Sequence, residues 1–233
     1  MQKIIKVDYL TMPVMISRRK GTRHIRIAIK SDGVVRLSVP YGIPEIAARA
    51  FLKQKASWIN KHHVVSHRLT DGMHIGKHHR LLILNGESSR SHTKITDTEI
   101  RVTLSSGAEI DSAKAQSIIT KACEKALMKQ AEGLLPQRIQ LISTRTELPY
   151  SAIAIKKLKS RWGSCDSHNR IVLNSYLIQL DWKLIDYVIC HELAHTKYHH
   201  HQSSFWNLVE KVYPDYKNAR RLLKTKQTQV IIG

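Results

Sequence analysis

Apolar and polar positions change period several times along the chain. Between Arg23 and Pro40, Ile25, Ile27 and Ile29 alternate with other residues, Asp32-Gly33 interrupts, and Val35, Leu37 and Val39 alternate again. Period two on either side of a short turn signal predicts a β-hairpin with one apolar face. From Tyr41 the period becomes helical. Pro44 suits a first turn, and Phe51, Trp58 and Val65 recur at seven-residue spacing on one face. A second strand pair is expected in "GMHIGKHHRLLILNGE" and "EIRVTL", separated by the polar stretch "SSRSHTK".

The segment "SSGAEIDSAK" reads as a boundary, with Asp111 as N-cap of a long helix reaching about Gln140 and interrupted near Gly133 and Pro136. Alternation returns at Ile153 and Ile155, and "RIVLNSYLIQL" offers a short strand running into a loop. From Lys183, "KLIDYVICHELAHTKY" is apolar on most sides, which predicts a covered helix at the centre of its domain. Two shorter helices fit "SSFWNLVEKV" and "DYKNARRLLKTK", split by Pro214. No internal repeat is visible. The expected class is α+β: an N-terminal β-rich region with a helix over residues 1–105, then a small region over 106–233 whose central helix packs on a short sheet.

Composition adds one anomaly. Lys and Arg number 38 against 18 Asp and Glu, a net charge of +20 in 233 residues. That excess favours a polyanionic partner, since each neutralised phosphate releases counterions; the plainer reading is a solvated basic surface. Three widely spaced cysteines indicate neither a disulfide framework nor a zinc–thiolate site. No signal peptide is evident at the N-terminus, and no run approaches the roughly 18 apolar residues of a membrane span. The expectation is a cytoplasmic protein without a membrane partner.

The candidate chemistry lies in "HELAHTKYHHHQSSFW". His191 and His195 leave one helical face a turn apart, a spacing that suits two imidazoles on one zinc. Glu192, beside the first of them, is placed to act on water rather than on the metal. A third ligand cannot come from a straight continuation, because His199 would lie about 12 Å along the axis from His191. The helix must end after His195 and the chain must return. Spacing ranks His201 first, with His199, His200 and Glu210 as competitors. Three protein ligands would leave a fourth position for water, the mark of a catalytic site, with Glu192 as general base.

The stretch from Ser160 to Trp206 resembles the YgjP-like metallopeptidase family. Its counterparts are Arg161–Cys165 (R-W-G-S-C), Leu173-Asn174, Asp186–Val188, the H-E-x-x-H of His191–His195, and His201 ahead of Phe205-Trp206. The hairpin, the "SWI" helix and the "RLLIL" strand are similar to the family's leading half. The resemblance implies a zincin-like fold, a zinc-dependent peptidase activity on protein or peptide substrates, and His201 as third ligand. The family is similar in turn to the WLM proteases and, more loosely, to the SprT/Spartan group, which cut proteins on DNA. The same spacing occurs in metzincins, but Tyr198 stands where those have glycine and no Met-turn follows.

Other residues have two readings. Arg161 could stabilise an oxyanion or bind substrate main chain, and Trp162 shares its segment; alternatively the segment packs against the central helix and positions it. Asn174 could orient a ligand imidazole or simply end a strand. Asp186 could face the site or solvent, and Phe205-Trp206 are expected to pack the return over the histidines. Basic segments at Arg18–Arg26, Lys156–Arg161 and Lys217–Lys226 could form a non-specific nucleic-acid footprint. The competing function is therefore a basic nucleic-acid-binding module with a structural or residual zinc.

Overall fold

The structure, a computed structural model, describes residues 2–10, 12–29, 34–62, 68–226 and 228. They form two compact units, 1–67 and 68–233.

In the first unit, β1 (Gln2–Ile5), β2 (Val14–Arg19), β3 (Arg26–Ile29) and β4 (Val35–Pro40) make a sheet of order β1-β2-β4-β3. The expected hairpin pairing is present, with Ile27 opposite Leu37 across antiparallel β3 and β4. Its turn at Asp32-Gly33 lies outside the described residues, as does Val65. The expected helix is two, α1 (Glu45–Gln54) and α2 (Ala56–His62), and Pro44 is the extended N-cap rather than part of the first turn. The buried stripe runs through Ala48, Leu52 and Ile59, while Trp58 is 45% exposed. It therefore sits one residue round from the Phe51–Trp58 line. Compact aliphatic side chains take the centre of the core face, and the larger aromatics are left at its margin.

The second unit opens with β5 (His74–Ile75), β6 (His79–Asn85), β7 (His92–Ile95) and β8 (Glu99–Leu104), in the order β5-β6-β8-β7. The two strands expected to pair, β6 and β8, do so, but in parallel. A parallel pair needs a crossover, and the polar stretch supplies it, contributing β7 as an antiparallel edge to β8. Being mostly exposed, β7 carries no alternation to read. Both sheets share one strand order and one pattern of antiparallel, parallel and antiparallel pairing, each followed by helix. The topology thus repeats where the sequence shows no repeat.

Helix α3 (Ala113–Thr146) spans 34 residues and is capped by Ser112, whose side chain accepts from the Ala115 amide; Asp111 lies one residue outside. It runs uninterrupted through Gly133 and Pro136. An interior proline costs about 3 kcal/mol, but Leu135, Ile139 and Ile142 are all fully buried on either side of it. Their burial outweighs the local penalty. Because Ile100, Val102 and Leu104 share a core with Ile119 and Leu127, the expected boundary at 105/106 falls inside the second unit.

A third sheet follows, β9 (Ala152–Lys156), β10 (Gly163–Cys165) and β11 (Arg170–Asn174), with β11 central, parallel to β9 and antiparallel to β10. The chain then passes through a 3-10 turn (Ser175–Gln179) into α4 (Trp182–Ala194), α5 (Ser203–Val212) and α6 (Tyr216–Leu223). Helix α4 packs against α3, β10, α5 and α6, which explains its apolar character on most sides. No helix among the described residues is long and apolar enough to cross a membrane.

A polar cluster ties this frame together. Gln130 on α3 accepts from the Lys77 and His78 amides (2.6 and 3.2 Å) and donates to Ile75 O and His79 Nδ1 (3.0 and 2.7 Å). His79 completes its own pairing at Thr96 O, 2.8 Å away. Lys77 Nζ donates to Leu180 O at 2.6 Å, just before α4 begins. Gly76, at φ 69°, has room for no β-carbon, which would lie 2.6 Å from Gln130 Oε1. Gln130→Leu leaves these buried partners unanswered, at ~1–3 kcal/mol each. Urea unfolding is expected to show an overall loss of about 4 kcal/mol or more.

Candidate metal centre

Helix α4 places His191, Glu192 and His195 at its C-terminal end, with His195 as the C-cap. The chain tightens immediately: the Thr196 amide bonds to Leu193 O (3.0 Å), and the Lys197 and Tyr198 amides to Ala194 O (3.2 and 3.1 Å). The helix therefore ends where the return requires. Tyr198 has no positive φ, so this turn makes no demand for glycine. Its carbonyl instead takes the Nδ1 proton of His195 at 2.9 Å, which leaves the Nε2 lone pair of His195 free.

The return brings in His201 and neither His199 nor His200. His201 Nε2 lies 3.1 Å from His195 Nε2 and 3.2 Å from His191 Nε2. Ligand atoms of these three residues all lie within 4.8 Å of one another, a group that could hold a metal ion. With zinc–nitrogen bonds of about 2.0–2.1 Å, ligand nitrogens on a tetrahedral ion stand about 3.3–3.4 Å apart. Two of the three separations are close to that spacing and the third lies within 4.8 Å, so the group, with one lone pair fixed by tautomer, fits such an ion.

The surroundings keep the imidazoles neutral, the form that binds metal. Burial pushes the His191 pKa down to about 3, with His195 and His201 adding to the shift. Burial also lowers those of His195 and His201. Phe205 is fully buried beneath the group, its ring centroid 5.0, 4.5 and 4.7 Å from those of His191, His195 and His201. Trp206 donates its indole N–H to His201 O at 3.0 Å and so clamps the return. The buried Nδ1 of His191 meets no acceptor among the described residues; its ring is held by Phe205 and by Tyr187, 6.0 Å away.

Glu192 is 6% exposed. Burial raises its pKa to about 8, opposed by the positive charge of Arg161. Arg161 itself is exposed at the margin of the site. The segment after it supplies a feature that spacing alone did not single out. A β-carbon on Gly163 would stand 2.8 Å from both Cγ and Oε1 of Glu192. Strand β10 thus runs flush against the carboxylate, and only glycine leaves it room. The available signal was a glycine inside a short strand, the usual mark of a close approach. Trp162 packs on the core of the unit, and its carbonyl accepts the Asn174 amide at 2.8 Å.

Asn174 does not reach the histidines. Fully buried, it donates to Leu158 O, Arg161 O and Thr228 O (3.0, 2.9 and 3.2 Å) and accepts from the Tyr176 amide at 3.2 Å. It ends β11, caps the 3-10 turn and holds the loop that carries Arg161. Asp186 turns away too, forming a bidentate pair with Arg138 of α3 at 2.7 and 2.5 Å. It fastens α4 to α3 rather than facing the site or solvent. Cys190 is fully buried and lies outside the metal-binding group.

Two solved structures overlap part of the chain. The metallopeptidase zymogen of Pyrococcus abyssi, abylysin, is 25% identical, with 42% of this chain and 100% of that one covered at a TM-score of 0.38. The metallopeptidase zymogen of Methanocaldococcus jannaschii, jannalysin, is 26% identical, with 38% and 93% covered at a TM-score of 0.32. No curated protein matches. The family described as "YgjP-like, metallopeptidase domain" matches residues 23–226, nearly the whole chain, from the first sheet through α6. This chain belongs to the YgjP-like metallopeptidase family.

Proposed function

We propose that the chain is a zinc-dependent peptidase in which His191, His195 and His201 hold the ion and Glu192 carries the proton. The observation behind this reading is the convergence of three neutral Nε2 atoms next to a buried carboxylate. Zinc held there supplies Lewis acidity, making a water more acidic and a peptide carbonyl more electrophilic. Glu192 takes the proton of the attacking water and delivers it to the leaving amine. Its burial strengthens its hold on that proton between the two transfers, and Arg161 opposes over-retention. Arg161, exposed and with its charge acting on Glu192, is assigned to the main chain of the bound substrate. A structural zinc has no use for a carboxylate desolvated beside its ligands, so the alternative of a nucleic-acid module with a structural ion is not favoured.

Three free cysteines suit a cytoplasmic setting. A preference for nucleic-acid-associated substrates rests on the +20 charge. Against it, Arg18 is spent on Tyr41 O and Ile43 O, Lys157 on Glu124, and Lys217 on Glu210. DNA affinity that falls steeply with salt supports that part; no binding at low ionic strength removes it.

The site is tested by metal analysis and by digestion of an unfolded protein substrate. Wild type is expected to carry one zinc per chain. His201→Ala should lose it, while His199→Ala and His200→Ala keep it. A chelator should stop cleavage and added zinc restore it. Zinc retained in His201→Ala but lost in His199→Ala or His200→Ala would overturn the ligand set.

A further inference from the structure

Helix α6 carries an arginine the mechanism above does not use. Tyr216 and Arg220, four residues apart, both meet Trp206: the Tyr216 ring stacks on it at 5.6 Å and 19°, and the Arg220 guanidinium carbon lies 4.4 Å from its centroid. Trp206 is itself bonded to His201 O, and its ring centroid is 5.7 Å from that of His201 and 5.8 Å from that of His191. A chain of ring and cation–π contacts thus holds one guanidinium near the histidine group, and its charge acts on His191 and His201. Among the described residues no carboxylate or carbonyl pairs with Arg220. Its neighbour Arg221, by contrast, bonds to Asn218 at 3.0 Å.

A cation–π contact with an indole uses the charge of a guanidinium rather than its N–H groups, so donors of its fork remain for a further partner. Such a fork is built for a planar two-oxygen acceptor, and fixing it in advance lowers the ordering cost of binding. We propose that Arg220 is a specificity-determining residue that binds a carboxylate of the peptide substrate next to the metal centre. The inference rests on the peptidase reading. Two sources present this chemistry, an acidic side chain near the scissile bond and the free C-terminal carboxylate. Arg161, exposed near Glu192, adds a second positive charge in the same site. The centre as a whole therefore selects for anionic segments.

The test reads binding, not turnover. Zinc-loaded Glu192→Gln protein is titrated with fluorescent peptides of one length in four forms. One has an internal Glu and an amidated end, one Gln in its place, and each also exists with a free C-terminus. At low salt the Glu peptide, the free-carboxylate peptide, or both should bind on the order of 10-fold more tightly than the amidated Gln peptide. Adding Arg220→Gln should abolish that preference without reducing zinc content. Arg220→Lys should restore only part of it, and Arg221→Gln, which removes the same charge one position away, should preserve it. Whichever carboxylate carries the preference identifies its source. Equal binding of all four peptides, or a preference that survives Arg220→Gln, overturns the proposal. Zinc loss in both Arg220 variants would make the residue a support for Trp206 instead, and would equally overturn it. Failure of wild type to cleave peptides that bind with the Arg220-dependent preference would count against the peptidase reading alone.

Discussion

Glu192→Gln is expected to leave zinc content and folding intact and to lower peptide cleavage by roughly 10²- to 10⁴-fold. The substitution keeps the shape of the side chain within a pocket that is almost closed to water. That pocket already disfavours the charged form, as the raised pKa of about 8 shows, so a neutral amide meets no new desolvation cost. What it loses is the ability to accept a proton from water and return it to the departing amine. Metal binding should be unaffected, because the three imidazoles converge without it. Zinc analysis, thermal unfolding and digestion of an unfolded substrate, run on the same preparation, check the three parts together. Cleavage at the wild-type rate would remove Glu192 from the mechanism. Loss of zinc would assign the carboxylate to the metal.

How much of this the chain displayed follows from the physics of each element. The H-E-x-x-H pair was legible because a helix fixes its own geometry: residues four apart share a face whatever surrounds them. The need for a return was legible for the same reason, since a straight rod cannot bring a third histidine back. Which histidine returns depends on a turn closed by the Tyr198 carbonyl and the Trp206 indole, and main-chain acceptors carry no sequence signature. Strand β7 was invisible because both its faces are mostly wet. The uninterrupted course of α3 is hidden for the opposite reason: local penalties at Gly133 and Pro136 are plain in sequence, whereas the burial that offsets them belongs to the assembled core. Asn174 and Asp186 illustrate polar residues near a motif that serve the scaffold. Their partners, on the 158–161 loop and on α3, come from segments that spacing cannot connect.

Gly163→Val should separate the scaffold from the chemistry. A β-carbon at this position enters the space of Glu192 Cγ, Cδ and Oε1, at 2.8, 3.0 and 2.8 Å. These atoms belong to a side chain, not to backbone, so the clash is relieved by rotating Glu192 aside rather than by moving α4. The histidine rings, held by Phe205 and by the Tyr198 carbonyl, need not move. The unfolding midpoint and zinc content should therefore stay near wild type. Displacing the carboxylate by about 1 Å or more should still lower cleavage on the order of 10²-fold. Gly163→Ala, with the same β-carbon and less bulk, should show the same split in milder form. A destabilised, zinc-poor Gly163→Val would mean that the glycine serves the packing of β10 on α4. Full activity would mean that Glu192 works from more than one position. The expected combination, a folded and metal-loaded protein that does not cut, arises only if the strand edge beside α4 sets where the proton acceptor stands.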